Sequence, residues 1–265
     1  MIKWLYFCLT PLALFANVHY AKIEPYEHTI LKSAVSGEVL DVALADEGRV
    51  VENKRVIHID DRLDKKNLAS SKESLTLLDE MIALNEKMLK TLKGTLERQK
   101  HYYEKMRHLQ TTSKRQKDTA YTLYSSANVQ YLTTQEKVMG LKQQRLEMRY
   151  KIESLQRSIA QKSLVIQQKF LSKLLVHKGE YVMPATPLAV VDDLHQAKLV
   201  LFLTSEELEN IEQKSLYLNG KKSHYTIHKI WKVTDEKFIS TYRAEVFIDA
   251  PKNYFSQLVK VEIKE

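Results

Sequence analysis

The sequence contains very little cysteine: Cys8 is the only one among its 265 residues. Cys8 lies within an apolar run near the N-terminus, residues 4–16. A single thiol cannot form an intramolecular disulfide. If the apolar run is removed after export, the mature chain also has no thiol nucleophile and no thiolate metal site. These classes of scaffold and site are therefore excluded for the mature chain.

Glycine and proline are also scarce, with six and five copies. No glycine-rich stretch has the spacing of a phosphate-binding loop, and no nucleophile-elbow motif organises the Ser, His and Asp residues. His224 and His228 share one face if they lie on a strand, but they are too far apart to hold one metal without a third ligand. We therefore expect no enzyme activity, no cofactor and no metal.

The net charge of +8 does not indicate nucleic-acid binding. Lysine and arginine are spread along the chain and mixed with glutamate, and no basic cluster is interleaved with aromatic residues. This distribution is typical of the solvated surface of long helices. We predict no nucleic-acid partner.

The longest regular pattern runs from about residue 68 to residue 166 and predicts two amphipathic helices. Apolar residues recur at alternating spacings of three and four, which is typical of a left-handed coiled coil. The first arm has Leu68, Leu75, Leu78, Ile82, Leu89, Leu92, Leu96, Tyr103 and Met106, with Ser71, Asn85 and Gln99 at other inward positions; the second has Ala120, Tyr124, Ala127, Tyr131, Val138, Leu141, Met148, Ile152, Leu155, Ile159 and Ile166.

The pattern breaks at residues 110–113, where Ser113 can cap the second helix. The two arms have similar lengths, so we expect an antiparallel hairpin that returns the chain close to its starting point. At about 1.5 Å per residue, each arm is roughly 70 Å long.

The N-terminus has the features of an export signal. Lys3 precedes the apolar run, and residues 14–16 offer a small-residue cleavage site, with a second after Ala21. We predict a signal peptide within residues 1–21 and a location outside the cytoplasm. An uncleaved membrane anchor is the alternative.

Short strand-like segments flank the hairpin and form an internal repeat. Residues 48–51 through 59–61 match residues 179–182 through 191–193, with one residue inserted in the second copy. Neither half can bury both faces of its strands alone, so we predict one small β-sandwich split by the hairpin. The pairs at 60–61 and 192–193 close equivalent strands, which favours a structural capping role for these aspartates over acid–base chemistry.

This arrangement resembles the periplasmic adaptor proteins, also called membrane fusion proteins or the HlyD-like family. The resemblance rests on residues 33–39, on 48–51 with 56–60, and on 179–182 with 187–192, in this order around a long hairpin. It implies an α+β fold in which a coiled-coil hairpin is inserted in a split lipoyl-like β-sandwich, followed by a small β-barrel domain. The implied boundaries are 29–61 and 169–196 for the lipoyl-like halves, 62–168 for the hairpin and 197–265 for the barrel. Asn53 and Ala185 replace the glycine usual in the family's turns.

The last segment continues the likeness. Residues 198–203 alternate as a strand, Thr204 and Glu207 can form a capping box for a short helix through about Gln213, and Asn219 with Gly220 predicts a hairpin turn. Residues 224–233, 238–248 and 258–263 supply further strands.

The resemblance also indicates a docking site at the hairpin tip. Members that engage a TolC-like outer-membrane channel carry an arginine, a leucine four residues later and a serine seven beyond that. Registered on Ser113, those positions hold Tyr102 and Met106, with Arg107 one residue out of phase. A coiled-coil end also exposes its last apolar residues, here Met106 and Leu109, which can extend a partner's helical bundle. We predict docking through Met106, Leu109 and Ser113; the alternative is that Met106 and Leu109 close the hairpin's own core.

By this resemblance the protein is a periplasmic adaptor of a tripartite efflux or secretion system. It would oligomerise and link an inner-membrane pump, of RND type before ABC type, to the outer-membrane channel. One rival is a coiled-coil spacer or chaperone of the envelope, which has no need for paired β halves. Another is a biotin or lipoyl carrier, which needs a modifiable lysine where this chain has the hairpin.

Overall fold

The computed structural model describes residues 18–234, 237–252 and 254–264. The predicted export segment lies outside these residues except for its last four, which begin the first strand. The strands are β1 (Val18–Lys32), β2 (Gly37–Val42), β3 (Arg49–Val51), β4 (Lys54–Ile59), β5 (Ser163–Ile166), β6 (Lys169–Leu174), β7 (Tyr181–Val182), β8 (Pro187–Leu203), β9 (Ser215–Leu218), β10 (Lys221–Lys222), β11 (Ile227–Thr234), β12 (Tyr242–Asp249) and β13 (Leu258–Lys264). The helices are α1 (Arg62–His108), α2 (Lys114–Gln161) and α3 (Ser205–Leu208).

Helices α1 and α2 form the predicted antiparallel hairpin. Ile82 on α1 and Val138, Leu141 and Ile152 on α2 are buried between them, as the heptad spacing requires. Thr134 fills an inward position that the apolar pattern left vacant, and its hydroxyl donates to the carbonyl of Gln130. Among the described helices none is both long and apolar enough to cross a membrane.

The prediction that Ile166 belongs to the helical seam is wrong. Helix α2 ends at Gln161, and residues 163–166 form β5, which pairs with β4. Ile166 is buried in the β core instead. The predicted hairpin boundary at residue 168 is therefore too late. The heptad spacing continued past the helix end because an apolar residue in a core strand happened to fall in phase.

One buried polar side chain interrupts the hairpin seam. The Asn85 amide nitrogen donates to the carbonyl of Met81 at 2.7 Å, while its Oδ1 is buried without a hydrogen-bond partner. A buried acceptor left unpaired destabilises the fold, and polar seam residues can fix the register of paired helices.

Replacing Asn85 by leucine is expected to raise the free energy of unfolding by about 1–2 kcal/mol, because it removes the unpaired acceptor and fills the seam with apolar atoms. Urea unfolding followed by circular dichroism measures the change. The solvent-exposed change Lys87→Leu is the control, and a loss of stability in Asn85→Leu would contradict the argument.

Two layers of strands pack against each other at the base of the hairpin. One is a four-stranded sheet in the order β5-β4-β2-β7, and the other contains β3, β6, β8 and β1. Their shared core holds residues from both sides of the hairpin: Val39, Val51, Val56, Ile57 and Ile59 precede it, and Ile166, Leu171, Leu174, Val176, Val182, Leu188, Ala189 and Val191 follow it. The hairpin therefore leaves and re-enters one packed β unit.

A second core lies in the other half of the larger sheet, which runs β10-β9-β13-β1-β8-β12-β11. Leu199, Leu201, Leu203, Val246 and Val261 are almost fully buried there. The Thr204–Glu207 capping box begins α3 as predicted. Asn219 and Gly220 form the predicted turn, but its second strand is only β10, because β11 pairs with β12.

Strands β1 and β8 are long and pass through both cores. Residues 198–203, predicted as a strand of their own, belong to the single strand β8, which begins at Pro187. Asp192 and Asp193 therefore do not close a strand, and the prediction that they cap one is wrong. They lie inside β8, where side chains from β1 and β6 bind them.

Candidate functional site at the hairpin tip

The hairpin tip is a short turn fixed by capping interactions at both helix ends. Helix α1 ends at His108, and Ser113 caps α2 as predicted. The Gln116 amide donates to Ser113 Oγ at 3.3 Å, and the Ser113 amide donates back to Gln116 Oε1 at 3.0 Å. Lys117 Nζ donates to the Arg107 carbonyl at 3.3 Å, which satisfies an acceptor at the end of α1.

Aromatic packing stiffens the hairpin directly below the turn. Tyr103 of α1 stacks on Tyr124 of α2, with ring centroids 5.8 Å apart and planes within 1° of parallel. Tyr103 also contacts Tyr121 at 5.4 Å. Next to this layer Ala120 is completely buried. The tip is therefore held on a packed layer that joins both helices.

The three residues predicted for docking lie within this tip but differ in exposure. Met106 is half-buried on the inward side of α1, next to the Tyr103 layer in sequence. Leu109 follows the last turn of α1 and is 42% exposed. Ser113 is exposed, although its side chain is engaged in the cap. Leu109 thus presents more apolar surface to a partner than Met106 does.

Solved structures of similar architecture cover nearly the whole chain. MacA from Actinobacillus actinomycetemcomitans aligns with a TM-score of 0.68 and 14% identity over 94% of this chain and 78% of that one. The membrane fusion protein Spr0693 from Streptococcus pneumoniae R6 aligns with a TM-score of 0.60 and 9% identity over 94% and 99%. A putative efflux transporter from Bacteroides eggerthii DSM 20697 aligns with a TM-score of 0.52 and 11% identity over 94% and 68%.

The chain has the membrane fusion protein fold. The resemblance drawn from the split β segments and the hairpin is confirmed at the level of the fold. Comparisons of the sequence with protein-family models and with curated proteins give no match.

In this membrane fusion protein fold the tip carries a concentration of positive charge that the sequence reasoning missed. Lys105 and Arg107 lie in the last turn of α1, and Lys114, Arg115 and Lys117 lie in the first turn of α2. Helix α2 has no acidic residue in its first turn. Cations at a helix N-terminus oppose the macrodipole, so stability of α2 does not account for them. The signal was readable from the sequence as basic residues directly after a predicted cap.

A groove on α2 begins at these basic residues. Lys114, Arg115, Asp118, Thr119 and Leu123 line it on the outer surface of the first turns. Its chemistry suits an acidic or hydrogen-bonding helix end with an apolar neighbour, and it holds no arrangement of side chains suited to catalysis.

A second polar cluster lies at the middle of β8, where the membrane fusion protein fold joins its two cores. Lys169 Nζ donates to Asp193 Oδ2 at 2.5 Å, and His28 Nδ1 lies 2.7 Å from Asp192 Oδ1. Burial works against ionisation of Asp193, but hydrogen bonds from Lys169 and His195 hold its pKa well below the usual value. The cluster gives both aspartates hydrogen-bonding partners in mid-strand and serves the fold.

Proposed function

We propose that the protein is a periplasmic adaptor of a tripartite efflux or secretion system. Its hairpin tip docks to a TolC-like outer-membrane channel, and its β units contact an inner-membrane pump, of RND type before ABC type. The observation that carries the proposal is the rigid two-helix hairpin, inserted in a split β unit and ending in a capped turn. The alignment over 99% of the membrane fusion protein Spr0693 supports it.

Within this proposal each part of the chain has a mechanical task. We infer that the β unit around the hairpin base is lipoyl-like and that residues 197–265 form the small barrel. The β units fix the base of the hairpin at the inner-membrane side, while the helices transmit position to the tip. The work is assembly of a conduit without chemical conversion of a substrate, and several copies surround the pump.

The tip residues support docking by helical packing with charge recognition at the rim. Leu109 supplies exposed apolar surface at the end of α1. Lys114 and Arg115 flank it at the start of α2, where their charge has no stabilising role in the helix. We therefore propose that the channel's helical ends present acidic groups next to an apolar groove.

Site-specific photocrosslinking from the tip in the native cell envelope tests this function. A photoreactive amino acid replaces Leu109, because replacing Ser113 would remove the cap of α2. The same amino acid at Gln143, halfway along α2, is the matched control. Mass spectrometry is expected to identify an outer-membrane channel among the Leu109 adducts only.

A folded, exported protein that gives no channel adduct from Leu109 would contradict the docking proposal. A coiled-coil spacer of the envelope would then explain the fold better. In the positive case, Lys114→Glu combined with Arg115→Glu is expected to lower the adduct yield by about tenfold, equal to about 1.4 kcal/mol of lost affinity.

A further inference from the structure

One end of the sheet that holds the second core carries strongly exposed apolar side chains. Val233 on β11, and Phe238 and Ile239 just before β12, are between 52% and 79% exposed. Phe202 of β8 lies beside them, with its ring centroid 4.5 Å from that of Phe238. We call these four residues, together with Trp231 on β11, the β11–β12 patch. Adjacent exposed apolar side chains of this size mark an interaction surface.

Basic side chains lie against the tryptophan of the patch. Lys229 Nζ is 4.4 Å from the Trp231 ring centroid, and the Arg243 guanidinium carbon is 4.8 Å from it. Arg243 and Lys237 also line a groove of about 530 Å³ whose walls include four residues of the patch. Arg243 donates one hydrogen bond to Glu245, so part of this charge is already balanced. Cations next to exposed aromatic and apolar surface suit a partner with an anionic head and an apolar body.

The strands around the patch carry an excess of positive charge. Residues 217–264 contain nine lysines and arginines against five aspartates and glutamates. Two of these acidic residues, Asp235 and Glu236, lie outside the described residues. Glu245 and Glu262 are each paired with a neighbouring cation. An anionic surface is therefore attracted to this part of the sheet.

The patch lies at the end of the sheet where the chain enters the structure. Leu203, the last residue of β8, pairs with Tyr242, the first residue of β12, so the patch residues that precede β12 lie beside the end of β8. At the start of β1, His19 Nε2 is 2.7 Å from Glu207 Oε1 in α3, which follows β8 directly. The apolar run at residues 4–16 therefore joins the structure at the same end as the patch.

The other end of β1 and β8 leads to the hairpin. Lys32 of β1 pairs with Pro187 of β8 in the β unit from which α1 and α2 extend. Along these two strands the patch is therefore at the opposite end from the hairpin base. A surface that contacts the patch lies on the side of the protein away from the hairpin.

We propose that the β11–β12 patch binds directly to an anionic phospholipid surface. Phe238 and Ile239 enter the apolar edge of the bilayer. Lys229, Lys237 and Arg243 contact the lipid phosphates. Tryptophan suits the boundary between headgroups and acyl chains, because its ring is apolar and its Nε1–H can donate a hydrogen bond. The inference goes beyond the proposed function, because neither the pump nor the channel takes part in this contact.

Protection of a sheet edge does not explain the whole patch. Strand β11 is at the edge of the described sheet, and lysines on an edge strand hinder pairing with another chain. Lys229 and Lys232 would suffice for that role. Exposed Phe238 and Ile239 beside them work against it, because apolar surface promotes association. A bilayer with anionic headgroups stabilises both kinds of side chain at once.

Quenching of Trp231 fluorescence by brominated phospholipids tests the proposal on the full-length protein. The sequence has two tryptophans, and Trp4→Phe leaves Trp231 as the only one. Bromine quenches only a nearby ring, so the signal reports on the patch even if residues 4–16 also enter the bilayer. Vesicles of phosphatidylethanolamine and phosphatidylglycerol are expected to shift the emission to shorter wavelengths, with stronger quenching by bromine near the headgroup than at the end of the acyl chain. Vesicles of phosphatidylcholine alone are expected to give at least about threefold less quenching.

Two pairs of variants separate the effects of charge and apolar contact. Lys229→Glu with Lys237→Glu is expected to reduce the quenching about tenfold, and its control, Lys173→Glu with Lys178→Glu, makes the same charge change near the hairpin base. Phe238→Ser with Ile239→Ser is expected to abolish the quenching. Its control, Leu44→Ser with Val50→Ser, replaces two exposed apolar residues near the hairpin base. Both controls are expected to stay within about twofold of the parent.

Unchanged Trp231 emission on adding anionic vesicles would overturn the proposal, as would equal quenching in the parent and in Phe238→Ser with Ile239→Ser. A photoreactive amino acid at Ile239 is expected to crosslink to phospholipid in the native envelope. Crosslinking to an integral membrane protein without a lipid product would assign the patch to a pump and overturn the proposal. Channel docking is read separately from Leu109, so either proposal can fail alone.

Discussion

Replacing Ile59 by alanine is expected to lower the free energy of unfolding by about 3 kcal/mol, and Leu171→Ala by a similar amount. Ile59 precedes the hairpin and Leu171 follows it, yet both are at most 1% exposed in the same core. Each change removes apolar atoms from a close-packed site and leaves a cavity. Because the two halves share one core, both variants should shift the same unfolding transition, measured by urea denaturation.

The matched control is Val50→Ala on β3, where the side chain is 59% exposed. It is expected to cost less than about 1 kcal/mol, because little apolar surface is removed from the core. If Ile59→Ala and Leu171→Ala altered two separate transitions, the two halves would be independently stable. The description of one β unit split by the hairpin would then be wrong.

The parts that the sequence predicted well are those in which local pattern and tertiary structure agree. The heptads of α1 and α2 place Ile82, Leu141 and Ile152 inward without any knowledge of the fold. The resemblance implied equivalent turns at Asn53 and Ala185, where these residues replace the family's usual glycine. Both residues have positive φ, 45° and 70°, the conformation for which glycine is usually chosen. The backbone at these two turns therefore adopts the conformation that glycine usually takes, although neither residue is glycine.

The parts that the sequence missed depend on contacts between distant segments. The run around Asp192 and Asp193 looks like the end of a strand, because carboxylates are costly inside a sheet. In the structure His28, Ser172 and Lys169 reach these carboxylates from β1 and β6, at least twenty residues away or across the whole hairpin. No local pattern contains that pairing, so the continuity of β8 could not be predicted.

The same distinction applies to the tip. The Ser113 cap is a local motif and was predicted, whereas the different exposure of Met106 and Leu109 depends on how two helices meet. The basic cluster at residues 114–117 was visible in the sequence but looked like ordinary helix surface. It becomes informative only once the first turn of α2 is fixed, because its charge then opposes the helix dipole.

Shortening the hairpin by one heptad in each arm is expected to abolish the channel adduct from Leu109, with a loss of at least about tenfold. Deleting residues 95–101 and 125–131 removes opposite segments of equal length, so the seam stays in register. The tip residues and the Tyr103–Tyr124 layer remain. Each arm becomes about 10 Å shorter, which leaves a tip of unchanged chemistry out of reach of a partner held at a fixed distance. Photocrosslinking in the cell envelope measures the effect.

The control restores length without restoring the deleted sequence. Duplicating residues 68–74 and 152–158 in the shortened protein returns about 10 Å to each arm near its base. Recovery of the adduct would show that the length of the hairpin determines docking, because a different heptad then supplies that length. A shortened protein that crosslinks as well as the parent would contradict a rigid hairpin held between two fixed membranes. The base of the hairpin would then have to move with its partner.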